Sequence, residues 1–426
     1  MINLYLRIVG VVAAVVAASL TFNRDSLRAA PAPATVRIGA VFPLQGPMSS
    51  LALHEYRGVQ IARDLVNASG GVRGRKIELV ARNVQDPAQA PSVMQVLHAS
   101  GVNAVLGAYS SALSIPASTA AASKGMVYWE AGAVADRLTG RGLPRVFRVG
   151  ASGSNLGGNS ARFAALQLAA RLHKRPTGLR IALVNNDGAY AASVADAAVR
   201  TARSNGMQVV SRTQYSVYMP DWPRVVRAVA SAHPDILILA SHIPDGVAFR
   251  RAMLAAHVHV GAFIGSTMAQ CVPEFGALLG RDAVGVFASD RPGQGFNPRS
   301  LPAPAHALYV RLAGVWRAQT GQAQPDEEGL AGFTAAWALF HDVLPRAAQA
   351  GSLTPSGITS AARSMNLPGG SLPNGAGLKF ATDARHLGQN QRAAAVIWQW
   401  QAVRHSVVVW PSVYATGHIA MVPLPR

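Results

Sequence analysis

The feature that most constrains this chain is an alternation of short apolar runs with longer amphipathic segments, which occurs twice. Val36–Phe42 is a short apolar strand that ends in the Pro-Leu-Gln-Gly-Pro loop at 43–47. His54–Ala68 follows, with Tyr56, Val59, Ile61, Leu65 and Val66 at helical spacing, until Gly70-Gly71 stops it. Ile77–Ala81, Ala104–Gly107 and Met126–Trp129 read as further strands, with helices over Ala90–Ala99 and Ser110–Ser123 between them. The pattern resumes with strands at Arg180–Val184, Met207–Arg212, Asp235–Ala240, Ala262–Gly265 and Val284–Ala288. Helices over Tyr190–Asn205, Asp221–Ala232 and Ala248–Ala256 alternate with them. Strands alternating with helices form a parallel sheet covered on both faces. Two such runs, on either side of about residue 150, predict an α/β chain of two similar lobes. The length of 426 residues is too great for one ordinary core and suits two.

Residues 1–34 stand outside this pattern and read as a targeting segment. Arg7 precedes an apolar run, Ile8–Leu20, which is short for a membrane span. Ala32-Pro33-Ala34 fits a cleavage site before Thr35. The alternative is an uncleaved amino-terminal anchor, since the apolar stretch extends from Ile2 to Phe22 if Asn3 and Arg7 are tolerated. The expected location is periplasmic in either case.

The net charge is +19, which raises the question of nucleic acid. Only Lys76, Lys124, Lys174 and Lys379 are lysines among 39 basic residues, so arginine dominates. The arginines are scattered singly or in loose pairs such as Arg250-Arg251, with no basic block interleaved with aromatics. A nucleic-acid partner is not expected. The single cysteine, Cys271, permits no intrachain disulfide and has no metal or nucleophile pattern around it.

In doubly wound sheets ligands bind beyond the carboxyl ends of the strands. The loops to search are therefore Pro43–Pro47, Ala108–Ala112, Glu130–Val134, Asn185–Tyr190, Ser241–Asp245 and Ser266–Gln270. None carries a catalytic motif. Gly107-Ala108-Tyr109-Ser110-Ser111 lacks the closing glycine of a nucleophile elbow. The glycine-rich Gly153–Gly158 does not fit a dinucleotide fingerprint and reads as a hinge or helix entry. His257 and His259 alternate, but two residues make no metal site. Glu327 and Glu328 precede a helix, where the helix dipole accounts for them. Trp398 and Trp400 alternate in a strand-like segment as packing residues.

Six segments, in order, resemble the branched-chain amino-acid-binding family of periplasmic solute-binding proteins. They are VRIGAVFPLQGP (36–47), EYRGVQIARDLVNASGGVRGRKIEL (55–79), QDPAQA (85–90), VLGAYSSALS (105–114), TGRGLPRVFRVGAS (139–152) and VVVWPSVYATG (407–417). The resemblance implies a type I periplasmic-binding-protein fold: two Rossmann-like lobes, three crossovers and a ligand cleft between them. The crossovers fall near Gly150, Ser289 and Phe380. One lobe would hold 35–150 with 289–380, the other 151–288 with 381–426. It further implies a non-enzymatic, monomeric clamp that passes a small-molecule ligand to an ABC-transporter permease, with no cofactor or metal. A ligand-sensing regulator or receptor with the same fold is the alternative.

By position, the resemblance assigns ligand contacts to Leu51, Ser110, Ser111, Ala133, Val134, Tyr190, His242 and Thr267. Ser110 and Ser111 start a helix, whose free N–H groups suit a carboxylate. Leu51 and His242 replace family aromatics, Val134 replaces a threonine, and Thr267 replaces the acid that holds the ligand's ammonium. Ser266 and Met268 beside it are also uncharged, while Asp187 and Asp245 are nearby acids of turn or capping type. Gln85 and Tyr109 stand at the family's disulfide positions. A buried ammonium without a carboxylate is costly, so these changes point to a carboxylate or neutral polar ligand.

Overall fold

The computed structural model describes residues 35–266, 270 and 272–425. The targeting segment, Thr267 and Cys271 therefore lie outside the described residues.

The first sheet is built from β1 (Val36–Phe42), β2 (Ile77–Asn83), β3 (Ala104–Gly107), β4 (Val127–Glu130) and β5 (Val146–Arg148). Its order is β2-β1-β3-β4-β5, and every pair is parallel. The helices between them are α1 (Ser49–Ala68), α2 (Ala90–Ala99) and α3 (Ser111–Ser123). The chain then passes through α4 (Gly153–Phe163) into a second sheet. That sheet contains β6 (Arg180–Asn186), β7 (Gln208–Tyr215), β8 (Ile236–Ala240), β9 (Ala262–Ser266) and β10 (Phe287–Asp290). The intervening helices are α5 (Ala189–Ser204), α6 (Trp222–Ala232), α7 (Ile243–Ala255) and α8 (Pro273–Leu279). The parallel part runs β7-β6-β8-β9-β10, which repeats the order of the first sheet. Each sheet thus reverses its winding at one point, between β1 and β3 in the first and between β6 and β8 in the second.

Burial explains why the strands read as continuous apolar runs rather than alternating ones. In β6, Ile181 and Leu183 enter a core on one face, while Ala182 and Val184 enter a core on the other. Fully burying a large apolar side chain contributes about 1.5–3 kcal/mol. The first core is completed from far along the chain by α9 (Ala303–Thr320), α10 (Glu327–Trp337), α11 (Leu344–Gln349) and α12 (Pro355–Arg363). Leu312, Trp316, Leu330 and Phe333 from these helices pack with Ile38, Phe42 and Trp129 of the first sheet.

After α12, residues 367–390 stay beside the first sheet, where Gln389 bridges Arg148. The chain then returns to the second sheet as β11 (Val396–Ala402) and β12 (His405–Trp410), an antiparallel hairpin on its edge. The packing tryptophans Trp398 and Trp400 lie in β11 and are buried.

Several details differ from the sequence reading, among them Glu130 and Asn185–Asn186, expected in loops, which end β4 and β6. The first helix begins at Ser49 rather than His54, because buried Ala52 and half-buried Leu51 pack on the core. The strand expected at Val284–Ala288 lies at Phe287–Asp290, because residues 281–286 form turns closed by Val284 N–H to Arg281 O and Val286 N–H to Ala283 O. Ser266, expected in a loop, ends β9. Gly153–Gly158 opens α4 under a reciprocal Ser152–Asn155 cap, the helix entry expected of it.

Candidate ligand cleft

The two winding reversals bring the loops after β1, β3, β6 and β8 to the same region, where a doubly wound sheet accepts a ligand. The close approach at the first reversal requires Gly107: a Cβ there would lie 1.9 Å from the Val41 carbonyl. Two residues on, Tyr109 is held at φ 77°, a left-handed conformation that a non-glycine residue adopts at a cost. Its buried side chain lines two cavities at once.

The first cavity, of about 270 Å³, lies between the lobes. Met48, Ser50, Leu51 and Tyr109 line it from one side, and His242, Ile243, Pro244 and Glu274 from the other. The second is about 10 Å³ and is lined by Tyr109, Ser111, Gly132, Ala133, Val134, Arg291 and Glu328. The expected contacts thus separate into Leu51 with His242, and Ser111 with Ala133 and Val134. A third cavity of about 320 Å³ is walled by Gln294, Asp326, Glu327, Glu328, Trp398, Trp400 and His405, among others.

Ser110 caps α3 by accepting the Leu113 N–H at 3.4 Å. Ser111 Oγ accepts the Ala135 N–H at 3.0 Å. Both hydroxyls act as acceptors here, which leaves their own protons to donate. Ser110 takes the Leu113 N–H, and the N–H groups at the very start of a helix, here those of Ser111 and Ala112, have no helix carbonyl four residues back and suit a carboxylate.

The 131–135 loop is held from both sides by buried charge. Glu130 Oε1 accepts the N–H groups of Gly132 and Ala133 at 2.9 and 2.8 Å. Arg148 donates to the carbonyls of Ala133 and Ala135 at 3.2 and 2.7 Å, and to Gln389 Oε1 at 2.6 Å. The Ala133 backbone is therefore already engaged at both its N–H and its carbonyl. Burial raises the Glu130 carboxyl and lowers Arg148 to about 10, which still leaves the guanidinium charged at neutral pH.

On the second lobe, Tyr190 is buried and its hydroxyl donates to the Ser241 carbonyl. Its ring packs edge-on to His242 at 5.0 Å and shares an apolar cluster with Val134 of the first lobe, so the lobes touch. Tyr190 lines neither of the two smaller cavities. His242 caps α7 and faces the Asn186 amide nitrogen through Nδ1 at 3.0 Å, which places its proton on Nε2. Burial pushes its pKa down, so it is a neutral donor. Asp245 is a capping acid: it accepts the His242 N–H and bonds to Asn186 and Tyr215. Asp187 is a turn acid that accepts the Val217 N–H at 3.2 Å.

Sequence reasoning missed a buried acidic hub behind these loops. Glu55, Glu130, Asp290, Glu327 and Glu328 are all buried, with Arg148 and Arg291 among them. Arg291 ion-pairs with Glu327 and donates to the Gly132 carbonyl at 2.8 Å. Glu327 and Glu328 do open α10, as expected of helix-start acids, but both are buried in the cleft wall rather than solvated. Among the described residues no group of three or more His, Cys, Asp or Glu is placed to hold a metal ion. No helix among them is long and apolar enough to cross a membrane.

The periplasmic binding protein family model matches residues 35–399. A Leu/Ile/Val-binding protein homologue of Brucella suis is 29% identical over 389 residues, covering 91% of this chain and 93% of its own. Among solved structures, a leucine-binding protein of Thermotoga maritima superposes with a TM-score of 0.72 at 18% identity, over 88% of this chain and 97% of its own. A branched-chain amino-acid-binding protein of Streptococcus pneumoniae in complex with isoleucine superposes with a TM-score of 0.68 at 19% identity, over 88% and 100%. These likenesses establish the type I periplasmic-binding-protein fold.

Proposed function

The chain belongs to the periplasmic binding protein family, and from that premise we propose that it is the solute-binding component of an ABC transporter. It encloses a small polar metabolite, amino acid-like or bearing a carboxylate or amide, and presents the closed form to a membrane permease. It acts as an exported monomer in the periplasm, by binding without catalysis. The relatives' names support an amino acid-like solute: one is a Leu/Ile/Val-binding homologue and one solved neighbour holds isoleucine.

The observation that carries the reading is the convergence of both winding reversals on one cleft, with the start of α3 at Ser110–Ser111 as the anion-binding end. Closure turns on the three connections between sheets, near 149–152, 291–295 and 391–395. Affinity comes from contacts that exist only when the lobes meet. Val134 against Tyr190 is such a contact.

A thermal-shift screen tests this with amino acids, amides, urea and mono- and dicarboxylates, followed by small-angle scattering on any ligand found. A solute at about a hundred times its Kd stabilises by roughly 2.7 kcal/mol. The expected result is a shift with at least one carboxylate or amide solute and a smaller radius of gyration in its presence. Absence of any shift across the panel, or tight binding with no compaction, would overturn the reading.

A further inference from the structure

We propose that His54 and Glu274 form a proton-dependent latch between the lobes, drawn together while the imidazole is cationic and released when it loses its proton. The latch rests on the closure reading above and concerns how closure is regulated.

His54 lies half-buried in α1 of the first lobe. Its Nδ1 pairs with Asp326 Oδ2, and the other Asp326 oxygen caps α10 by accepting the Gly329 N–H at 2.8 Å. The ring meets Trp316 of α9 edge-on at 5.8 Å. These contacts tie the imidazole to the first lobe, so it moves with that lobe. With Nδ1 engaged, Nε2 is the nitrogen that takes up or releases the second proton.

Glu274 belongs to the second lobe, in the first turn of α8, and is exposed. It lines the 270 Å³ chamber together with Ser50 and Leu51 of α1. Helix positions three or four apart share a face, so these two residues stand one turn from His54. The chamber thus brings a carboxylate of one lobe beside the histidine-bearing turns of the other. An opposite charge at such range favours the cationic ring, and hinge opening carries it away.

The charged groups that face His54 are Asp326 from α10, Arg57 from its own helix and Glu274 from α8. The Asp326 hydrogen bond holds the imidazole above its ordinary value of 6.5, against burial and Arg57, with the charges of Asp326 and Glu274 adding. Asp326 and Arg57 lie on the first lobe with His54, and Arg57 sits over the Trp316 ring at 5.9 Å. Glu274 is the member that crosses the gap, so the closed form binds the proton more tightly than the open form. By linkage, protonation adds to closure at pH below the open-form value, and that addition fades as pH rises through the closed-form value. His242 shares the chamber, but burial pushes its pKa down, so its charge changes at lower pH.

Double electron–electron resonance tests the latch by measuring lobe separation in the ligand-free protein. Spin labels are placed at K124C and S204C, one exposed site per lobe, with C271S removing the natural cysteine. The expected result is two separations whose closed-to-open ratio is roughly two- to fivefold larger at about pH 6 than at about pH 9, the scale of an exposed ion pair. E274Q and H54Q should each remove most of that dependence. E274K should reverse it, because the introduced ammonium repels the imidazolium. Salt at about 1 M should suppress it by screening. A ratio that does not change with pH, or a dependence that E274Q leaves intact, would overturn the latch and leave the closure reading standing. A single separation at every pH would also overturn the latch, with the closure reading decided separately by solute-induced compaction. Glu274 is exposed, so its variants test the latch even if H54Q fails to fold.

Discussion

At the residue scale the cleft wall is built from charges that the fold keeps away from water, and Glu55 is the most exacting of them. It is buried with both carboxylate oxygens unpartnered, between α1, α10 and the Gly132 loop. Burial raises its carboxyl well above the ordinary value of 4.5, with Glu130 and Glu327 adding and Arg291 opposing. The folded chain thus holds a proton that the unfolded chain releases near that value. The stability from this proton is complete at pH below 4.5 and falls as pH rises toward the folded-state pKa. E55Q keeps the shape and cannot ionise. It should raise the melting temperature by roughly 2–4 °C for each kcal/mol recovered, with a larger gain at pH 8 than at pH 5. An equal effect at both pH values, measured by thermal denaturation, would show that Glu55 does not titrate in this range. The helix start at Ser110 and Ser111 was legible in the sequence, because a small polar pair after an apolar strand caps a helix; their role toward a ligand came only from the family resemblance. Glu55 and Glu328 were not legible. An acid in an amphipathic helix or in a first turn looks solvated until a distant helix covers it, and α10 joins the first core from some 270 residues along the chain.

At the element scale each lobe is closed by a helix pair that meets at glycine. Against α1, a Cβ on Gly332 of α10 would lie 2.0 Å from the Glu55 carbonyl, and one on Gly58 would lie 2.1 Å from the Gly329 carbonyl. Against α5, a Cβ on Gly157 of α4 would lie 2.0 Å from the Val194 carbonyl. These contacts are backbone on backbone, so the neighbour cannot turn aside. G332A should destabilise by about 1–3 kcal/mol, the usual cost of overpacking, in denaturant unfolding with an unchanged slope. It should also weaken ligand binding, since α10 carries Glu327 and Glu328 into the cleft. G314A, at an exposed helix position where a Cβ meets nothing, is the control and should stabilise by about 0.5–1 kcal/mol, the difference in helix propensity. The two alternating runs were legible because strands buried on both faces are continuously apolar. The glycine crossings were not, because a helical glycine looks like a weak helix former until its partner is known. The β11–β12 hairpin escaped for a related reason: its antiparallel pairing depends on an edge left by β10, which no local pattern records.

At the scale of the whole molecule the two lobes meet, and the contacts between them set how readily they part. Besides Val134 against Tyr190, Asp136 of the first lobe bonds across the gap. Its carboxylate accepts the Ser154 N–H at 2.9 Å and the Ser154 hydroxyl, and its own N–H donates to Ser193 Oγ at 3.0 Å. None of these residues lines the 270 Å³ chamber or the small cavity with Ser111. D136A therefore removes two bonds that favour closure without altering the ligand's surroundings. Hydrogen bonds to a charged group contribute roughly 1.5–3 kcal/mol each when net favourable, and 1.4 kcal/mol corresponds to about tenfold in affinity. A ligand that binds only the closed form loses apparent affinity in proportion to the closed fraction. At the lower end of that range the two bonds amount to about 3 kcal/mol, so D136A should raise Kd by about a hundredfold, mainly through faster dissociation, and should increase the radius of gyration of the ligand-free protein. The ligand-saturated radius should stay at the wild-type value, because bound solute still draws the lobes together. A Kd and a ligand-free radius both equal to wild type would mean that Asp136 holds Ser154 equally in the open form, and that closure depends on the apolar contact at Val134 and Tyr190 instead.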